Sequence, residues 1–223
     1  MIPLRFSRAF LEKWGHILGS WWDTNWKKAT IFYPARSAGM MNIQQVFQVT
    51  AEGEAALAAI VDEQGWKPLP NDEKMYRIML WVGAQLRYLN DSAQFGKVEF
   101  WADPFGILKS KTDDCDGFAV LMAYLGWAAG IPRYRLKVAA GDVLQNGQTI
   151  GHAYCLYLKE DSNLWHTCEG SFYPDEARKR FRENTPHSDA KRYSSLWWTT
   201  TDEESWAQHD LSIKEGIHSE IEG

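Results

Sequence analysis

A cysteine at the predicted start of an apolar helix is the residue best placed for chemistry in this sequence. Cys115 follows Asp113 and Asp114, both good helix N-caps, and residues 116–129 are almost wholly apolar. The first turn of a helix has free backbone N–H groups and the positive end of the helix dipole, which favour a thiolate. The position therefore predicts a nucleophilic cysteine.

A histidine and a carboxylate lie downstream of Cys115, in the order that acyl transfer by an activated thiol requires. His152 begins one predicted strand, and Glu169 ends the next. Because a thiol is nearly neutral at physiological pH, we expect His152 to take the proton of Cys115 and to return it to the leaving amine. Glu169 would fix the tautomer of the imidazole, with Asp175 as the next candidate for that role.

The predicted hairpin between these two strands selects one histidine over another. A loop of two or four residues pairs Lys159 with Leu164, which places Glu169 diagonally across from His152 on the same face. The same register sends His166 to the opposite face, whereas a three-residue loop would reverse the assignment. The parity of the strands therefore predicts His152 as the partner of the carboxylate.

The tetrahedral intermediate of such a reaction needs hydrogen-bond donors for its oxyanion. The backbone N–H of Cys115, in the first turn of the predicted helix, is the expected donor. The sequence does not assign a second donor, for which Gln94 and Tyr88 are candidates.

Neither a metal nor a cofactor is predicted. Asp114, Asp116 and Gly117 resemble the start of a calcium loop, but the ladder of Asp or Asn residues and the terminal Glu are missing. Cys155 and Cys168 create no Cys-x-x-Cys metal spacing, and both are expected to be packing residues.

The composition excludes several classes of protein. A net charge of −5 and an isoelectric point near 5.7 argue against nucleic acid or an anionic membrane as a partner. The sequence has no apolar run of the ~18 residues that a spanning helix needs. Three cysteines without an even framework favour a reducing compartment, so we expect a soluble, cytoplasmic protein of undetermined oligomeric state.

Tryptophan is unusually frequent, with 12 residues, and half of them cluster near the ends of the chain. The clustered residues are Trp21, Trp22, Trp26, Trp197, Trp198 and Trp206. Packing of the terminal segments onto the domain is the favoured interpretation, because Trp buries a large area. An aromatic surface for a ligand or a partner protein is the alternative.

The order of predicted elements gives the fold class. Apolar spacing predicts helices at residues 3–18, 51–64, 72–89, 116–129 and 175–183, and strands at 44–50, 134–140, 151–159 and 164–170. Gly141 is expected to break the strand before it. Because helices come first and an antiparallel sheet follows, we predict an α+β protein.

The motifs around these residues resemble the transglutaminase-like superfamily, which shares a papain-like α+β core. The resemblance covers roughly residues 72–173. Its marks, in this order, are Tyr88 to Asp91 at the end of a predicted helix, Trp101-Ala102-Asp103-Pro104, Thr112 to Ala119, Gly130-Ile131-Pro132-Arg133, His152-Ala153-Tyr154, and Trp165 four residues before Glu169. The cysteine block with the Gly-Ile-Pro and His-Ala-aromatic motifs in that order is fairly specific.

The resemblance implies a buried central helix that starts at the nucleophile Cys115 and packs on an antiparallel sheet. It implies His152 as the base and Glu169 as the third member of a triad. In this family the third member is usually Asp, so the extra methylene of Glu169 must be accommodated. Asp113 also stands where the family usually has Gly.

The resemblance also suggests an organisation for the chain. Residues 72–173 would be the catalytic core, with an N-terminal extension at 1–71 and a C-terminal, Trp-containing extension at 174–223. A copy of this size looks more like the compact prokaryotic or bacteriophage members of the superfamily.

Two functions from different classes follow. The first is an enzyme, either a hydrolase of amide or peptide bonds or an acyl transferase, that works on a protein or peptide through a thioester. The second is a binding or assembly module, for example in a virion, that keeps the fold but has lost turnover. Assistance to the folding of a partner is neither supported nor excluded.

Overall fold

The computed structural model describes residues 26–34 and 40–208. The predicted helix at 3–18, with Trp21 and Trp22, lies outside the described residues. The helices are α1 (Ala51–Glu63), α2 (Asn71–Gln85), α3 (Asp91–Gln94), α4 (Pro104–Ser110), α5 (Cys115–Ala128) and α6 (Pro174–Arg182), with short 3₁₀ turns at Ile43–Phe47, Arg133–Arg135 and His187–Asp189. None of the helices in the described ranges is long and apolar enough to span a bilayer.

A single antiparallel sheet carries most of the strands. The strands are β1 (Trp26–Ala29), β2 (Phe32–Pro34), β3 (Met40–Asn42), β4 (Arg87–Tyr88), β5 (Thr112–Asp113), β6 (Leu136–Gln145), β7 (Gln148–Leu158), β8 (Trp165–Cys168), β9 (Trp198–Thr200) and β10 (Ser205–Gln208). The main sheet has the order β1-β10-β9-β6-β7-β8, while β2 pairs with β3 and β4 pairs in parallel with β5. This mixture of helices and antiparallel sheet confirms the predicted α+β class.

Helix α5 belongs to the core because its sequence is apolar on every side. Phe118, Leu121 and Leu125 are among its many buried side chains, and the helix contacts β6 and β7 as well as α1, α2 and α4. A Cβ on Gly126 would overlap the side chain of Leu136, so a glycine lets helix and sheet approach closely. Full burial of each large apolar side chain stabilises the fold by about 1.5–3 kcal/mol.

The N-terminal half departs from the prediction in two places. The strand predicted at 44–50 is wrong, because Ile43–Phe47 form a 3₁₀ turn that begins where the side chain of Asn42 accepts a hydrogen bond from the N–H of Gln44. The helix predicted at 72–89 ends at Gln85, since Leu86 is extended and the next two residues form β4.

Gly141 does not end its strand. β6 continues to Gln145, and Gly141 pairs with His152 of β7. A Cβ at position 141 would overlap the carbonyl oxygen of Ser195. The glycine therefore marks a close approach of two backbones rather than a break.

The C-terminal part of the chain contributes to the main sheet, since β9 lies between β6 and β10. Trp198 and Trp206 are buried. The ring of Trp198 lies 5.4 Å from that of Tyr33 and 5.5 Å from that of Trp101. For Trp198 and Trp206, packing is confirmed as the role of the tryptophan.

Candidate active site

Cys115 occupies the first position of α5, at the end that faces β7. The carboxylate of Asp114 caps the helix by accepting a hydrogen bond from the N–H of Asp116 at 3.3 Å. The sulfur of Cys115 accepts a hydrogen bond from the N–H of Ala153 at 3.4 Å. This contact places the thiol against the strand residue next to His152.

The thiol of Cys115 is protonated at rest. Burial raises its pKa well above the ordinary value, and the carboxylates of Asp114 and Asp116 raise it further, against a smaller opposite effect of the Ala153 N–H. Burial and these carboxylates therefore oppose the thiolate that the helix terminus favours. A base must remove the proton during the reaction.

His152 is buried in β7, and its two ring nitrogens have different surroundings. Nε2 contacts Oε2 of Glu169, whereas Nδ1 has no hydrogen-bond partner among the described residues. The imidazole stacks on the ring of Phe172, with the centroids 4.3 Å apart and the planes within 7° of parallel. One nitrogen is thus held by a carboxylate while the other is uncommitted.

Glu169 is buried and its carboxylate is saturated with donors. Oε1 accepts hydrogen bonds from the N–H of Gly170 at 2.9 Å, the N–H of Ser171 at 2.7 Å and the hydroxyl of Ser171 at 2.8 Å. Burial by itself raises the pKa of Glu169, but His152 and the donors of Ser171 outweigh it and lower the pKa. The turn after Glu169 wraps back around the carboxylate, which accommodates the extra methylene.

The predicted register of the hairpin is confirmed. β7 pairs with β8 so that Cys155 lies opposite Cys168 and Tyr157 lies opposite His166. Both cysteines are buried, as predicted. His166 is buried as well, and burial with the charge of Lys159 lowers its pKa to about 4.

The alternative carboxylate does not reach a buried histidine. The side chain of Asp175 is exposed and pairs with Arg178 on the surface of α6. Glu169 is thus the carboxylate that the structure brings to His152.

The two candidate oxyanion donors differ in their availability. The amide of Gln94 donates a hydrogen bond to the carbonyl of Thr112 at 2.9 Å, so one of its two N–H donors is already in use. Tyr88 is partly exposed, and its ring centroid lies 5.4 Å from that of Phe172, the ring that stacks on His152. Burial and the neighbouring Cys115 raise the pKa of Tyr88, so its hydroxyl remains a donor.

Five carboxylates surround the start of α5, a feature that the sequence did not reveal. They are Asp91, Glu99, Asp113, Asp114 and Asp116. Ligand atoms from Asp91, Asp113 and Asp114 lie within 4.8 Å of one another, and the same holds for Asp91, Glu99 and Asp116. Three of the five belong to one short stretch of the chain, whereas Asp91 and Glu99 reach the site through the fold.

The electrostatics of this cluster favour a positive charge. Burial and the nearby Asp114 and Glu99 raise the pKa of Asp91 to about 8. One oxygen of Asp91 and both oxygens of Asp116 are buried and find no hydrogen-bond partner in the part of the chain that the structure describes. Clustered carboxylate oxygens are the ligands that Ca²⁺ takes in proteins.

No protein-family model matches the sequence, and no curated protein matches it significantly. The fold is similar to solved structures of Legionella pneumophila LapG, at 14% sequence identity. The calcium-bound form has a TM-score of 0.52 over 80% of this chain and 95% of that chain. A second structure of LapG and its EGTA-treated form each have a TM-score of 0.53, over 80% of this chain and 93% or 94% of theirs.

This likeness confirms the fold class predicted from the sequence. The chain has a papain/transglutaminase-like fold, a mixture of helices with an antiparallel sheet. Within that fold, Cys115 is the first residue of α5, His152 lies in β7, and Glu169 directly follows β8.

Proposed function

We propose that the protein hydrolyses peptide or amide bonds through a thioester on Cys115. The observation that carries the proposal is the state of His152. Its Nε2 is held by Glu169, and its buried Nδ1 has no hydrogen-bond partner among the described residues. The thiol of Cys115 lies against the same strand, at the neighbouring Ala153. A base with one oriented and one available nitrogen is what a protonated thiol requires.

The reaction proceeds in two halves. As the sulfur of Cys115 attacks the substrate carbonyl, Nδ1 of His152 takes the thiol proton and the carbonyl oxygen becomes an oxyanion. The N–H of Cys115, which has no acceptor within its helix, stabilises that oxyanion. The imidazolium, steadied by Glu169, gives its proton to the leaving amine, and the thioester remains.

The second half releases the acyl group. His152 takes a proton from water, the oxygen attacks the thioester, and collapse of the second tetrahedral intermediate returns the proton to the sulfur of Cys115. An amine in place of water would make the same machinery an acyl transferase. Protein or peptide chains are the proposed substrates of either reaction.

The contact between Glu169 and His152 favours this enzymatic proposal over a degenerate binding module. Glu169 stands where the family usually has Asp, and its carboxylate nevertheless reaches the histidine. Trp198 and Trp206 are buried in the core, so neither belongs to an exposed aromatic surface for a partner.

We further propose that the acidic cluster at the start of α5 holds Ca²⁺; one of the similar LapG structures is calcium-bound. The residues present fit this ion, because Asp91 and Asp116 cluster with other carboxylates and have buried oxygens that find no hydrogen-bond partner among the residues the structure describes. The ion would supply positive charge that neutralises these carboxylates beside Cys115. This proposal departs from the sequence-based prediction of no metal.

Selective alkylation tests the proposed nucleophile. With iodoacetamide at neutral pH, we expect peptide mass mapping to find modification at Cys115. Because His152 takes the thiol proton as the sulfur attacks, the rate should exceed that of free cysteine and that of the buried Cys155 and Cys168. The variant His152→Ala should lose this excess reactivity. A Cys115 that reacts no faster than free cysteine would contradict the proposal.

Thermal unfolding tests the cation without any assay of activity. Ca²⁺ at about one hundred times its dissociation constant stabilises a folded protein by about 2.7 kcal/mol, so the unfolding midpoint should rise relative to EGTA. The variant Asp91→Asn should lose that rise. The control Asp62→Asn, which changes an exposed carboxylate paired with Lys67, should keep it. An identical midpoint in Ca²⁺ and EGTA for the unmodified protein would refute the site.

A further inference from the structure

A segment after α6 brings a tyrosine to the candidate site. We call residues 192–197 the strap, because their backbone runs along the end of β6. Its hydrogen bonds join Arg192 O to Leu144 N at 2.8 Å, Ser194 N to Asp142 O at 3.0 Å, Ser195 O to Asp142 N at 3.2 Å, and Trp197 N to Ala140 O at 2.8 Å. Tyr193 is bridged to Val143 of β6. The main chain therefore fixes the position of Tyr193.

The hydroxyl of Tyr193 donates a hydrogen bond to Oε2 of Glu169 at 3.3 Å. The same oxygen contacts Nε2 of His152. The donors of Gly170 and Ser171 bind Oε1, whereas His152 and Tyr193 contact Oε2. A donor from the strap thus meets the one carboxylate oxygen that orients the base.

Packing directs this hydroxyl. The ring centroid of Tyr193 lies 4.7 Å from that of Tyr154 and 5.6 Å from that of the buried His187. Burial and the charge of Glu169 raise the pKa of Tyr193 well above its usual value, so the phenol stays protonated and remains a donor.

We propose that Tyr193 is a positioning residue, which holds Oε2 of Glu169 where it keeps the proton of His152 on Nε2 and leaves Nδ1 free. The inference rests on the function proposed above. It makes the strap a working part of the active site, although the sequence assigned residues 174–223 to an extension.

A second tyrosine beside His152, the buried Tyr154, provides a control for the partly buried Tyr193. The ring of Tyr154 also stacks near His152, with the centroids 5.9 Å apart, but its hydroxyl is buried and has no hydrogen-bond partner among the described residues. The variants Tyr193→Phe and Tyr154→Phe therefore each remove one phenolic oxygen beside the same histidine. Only the first removes a hydrogen bond to Glu169.

The test measures the rate at which iodoacetamide alkylates Cys115. We expect Tyr193→Phe to slow it about tenfold, which is the low end of what a hydrogen bond to a charged group contributes. Tyr154→Phe should leave the rate unchanged. In a Glu169→Gln background, Tyr193→Phe should have no further effect, because the carboxylate through which it acts is gone.

The outcomes separate the inference from the proposed function. A reactive Cys115 in the unmodified protein, together with an unchanged rate in Tyr193→Phe, would overturn the positioning role and leave the function standing. Equal slowing by the two Tyr-to-Phe variants would also overturn it, because loss of either phenolic hydroxyl near His152 would then suffice. An unreactive Cys115 in the unmodified protein would overturn both.

Discussion

Replacement of Glu169 by glutamine should disable the base while it changes the shape of the site very little. The substituted side chain must place one amide oxygen and one NH₂ group where the two carboxylate oxygens lie. At the Oε1 position, three N–H or O–H groups point inward at 2.7–2.9 Å. An NH₂ group there would lose at least the two bonds from the backbone N–H groups, which can only donate, each worth about 1.5–3 kcal/mol to a charged acceptor. The amide oxygen therefore takes the Oε1 position.

The NH₂ group then faces Nε2 of His152. It can only donate, so Nε2 must become an acceptor and the ring proton moves to Nδ1. An Nδ1 that carries a proton cannot take another from Cys115. Imposing the wrong tautomer on a triad histidine costs about 10⁴-fold in kcat, so we expect Glu169→Gln to lose about 10³- to 10⁴-fold.

Hydrolysis of p-nitrophenyl acetate gives the assay, since an activated ester needs no knowledge of the natural substrate. Circular dichroism checks that Glu169→Gln is folded. Asp175→Asn is the matched control, because it makes the same carboxylate-to-amide change at an exposed residue, and its rate should equal that of the unmodified protein. A folded Glu169→Gln variant within tenfold of the unmodified rate would refute the tautomer argument.

Three further predictions concern stability. Burial lowers the pKa of His187 to about 3, so between pH 6.5 and 3 the unfolded state binds more protons than the folded state. The free energy of unfolding therefore falls as the pH falls, by at most about 1.4 kcal/mol per pH unit for this group. Urea unfolding of His187→Asn should show a shallower dependence of that free energy on pH, and a slope equal to that of the unmodified protein would contradict this. Gly141→Ala places a Cβ against the carbonyl oxygen of Ser195 and should cost about 1–3 kcal/mol in urea unfolding; no loss would show that the strap moves freely. Trp198→Ala should cost about 3–5 kcal/mol by the same method, whereas a neutral effect would restore the idea of a surface tryptophan.

The parts of the site that follow local periodicity were predictable from the sequence. Side chains alternate along a strand, so the length of one hairpin loop was enough to choose His152 over His166 and to select Glu169. The N-cap of α5 was equally local, since Asp114 and Cys115 are neighbours. These features depend on residues close together in the chain.

Other parts of the site depend on contacts that no local pattern encodes. Asp91 and Glu99 join Asp116 only because of the way that α3 and the segment after it pack beside α5. Tyr193 meets Glu169 because the strap runs along β6. A lone tyrosine in a polar stretch carries no signal of such a contact.

The prediction that Gly141 ends its strand was wrong because of a contact distant in the sequence. A glycine in a strand pattern indicates either a break or a close approach, and the sequence does not distinguish the two. The partner that makes the close approach, Ser195, lies far along the chain. The insertion of β9 and β10 into the sheet has the same non-local origin.

A covalent acyl group on Cys115 is the most direct test of the thioester mechanism. After brief mixing with p-nitrophenyl acetate, we predict a stoichiometric burst of p-nitrophenolate and an acetyl group that peptide mass spectrometry locates on Cys115. In the unmodified protein the acetyl group should then be lost by hydrolysis, whereas His152→Ala should form and release it far more slowly. A protein without a burst, or an acetyl group on another residue, would contradict the account.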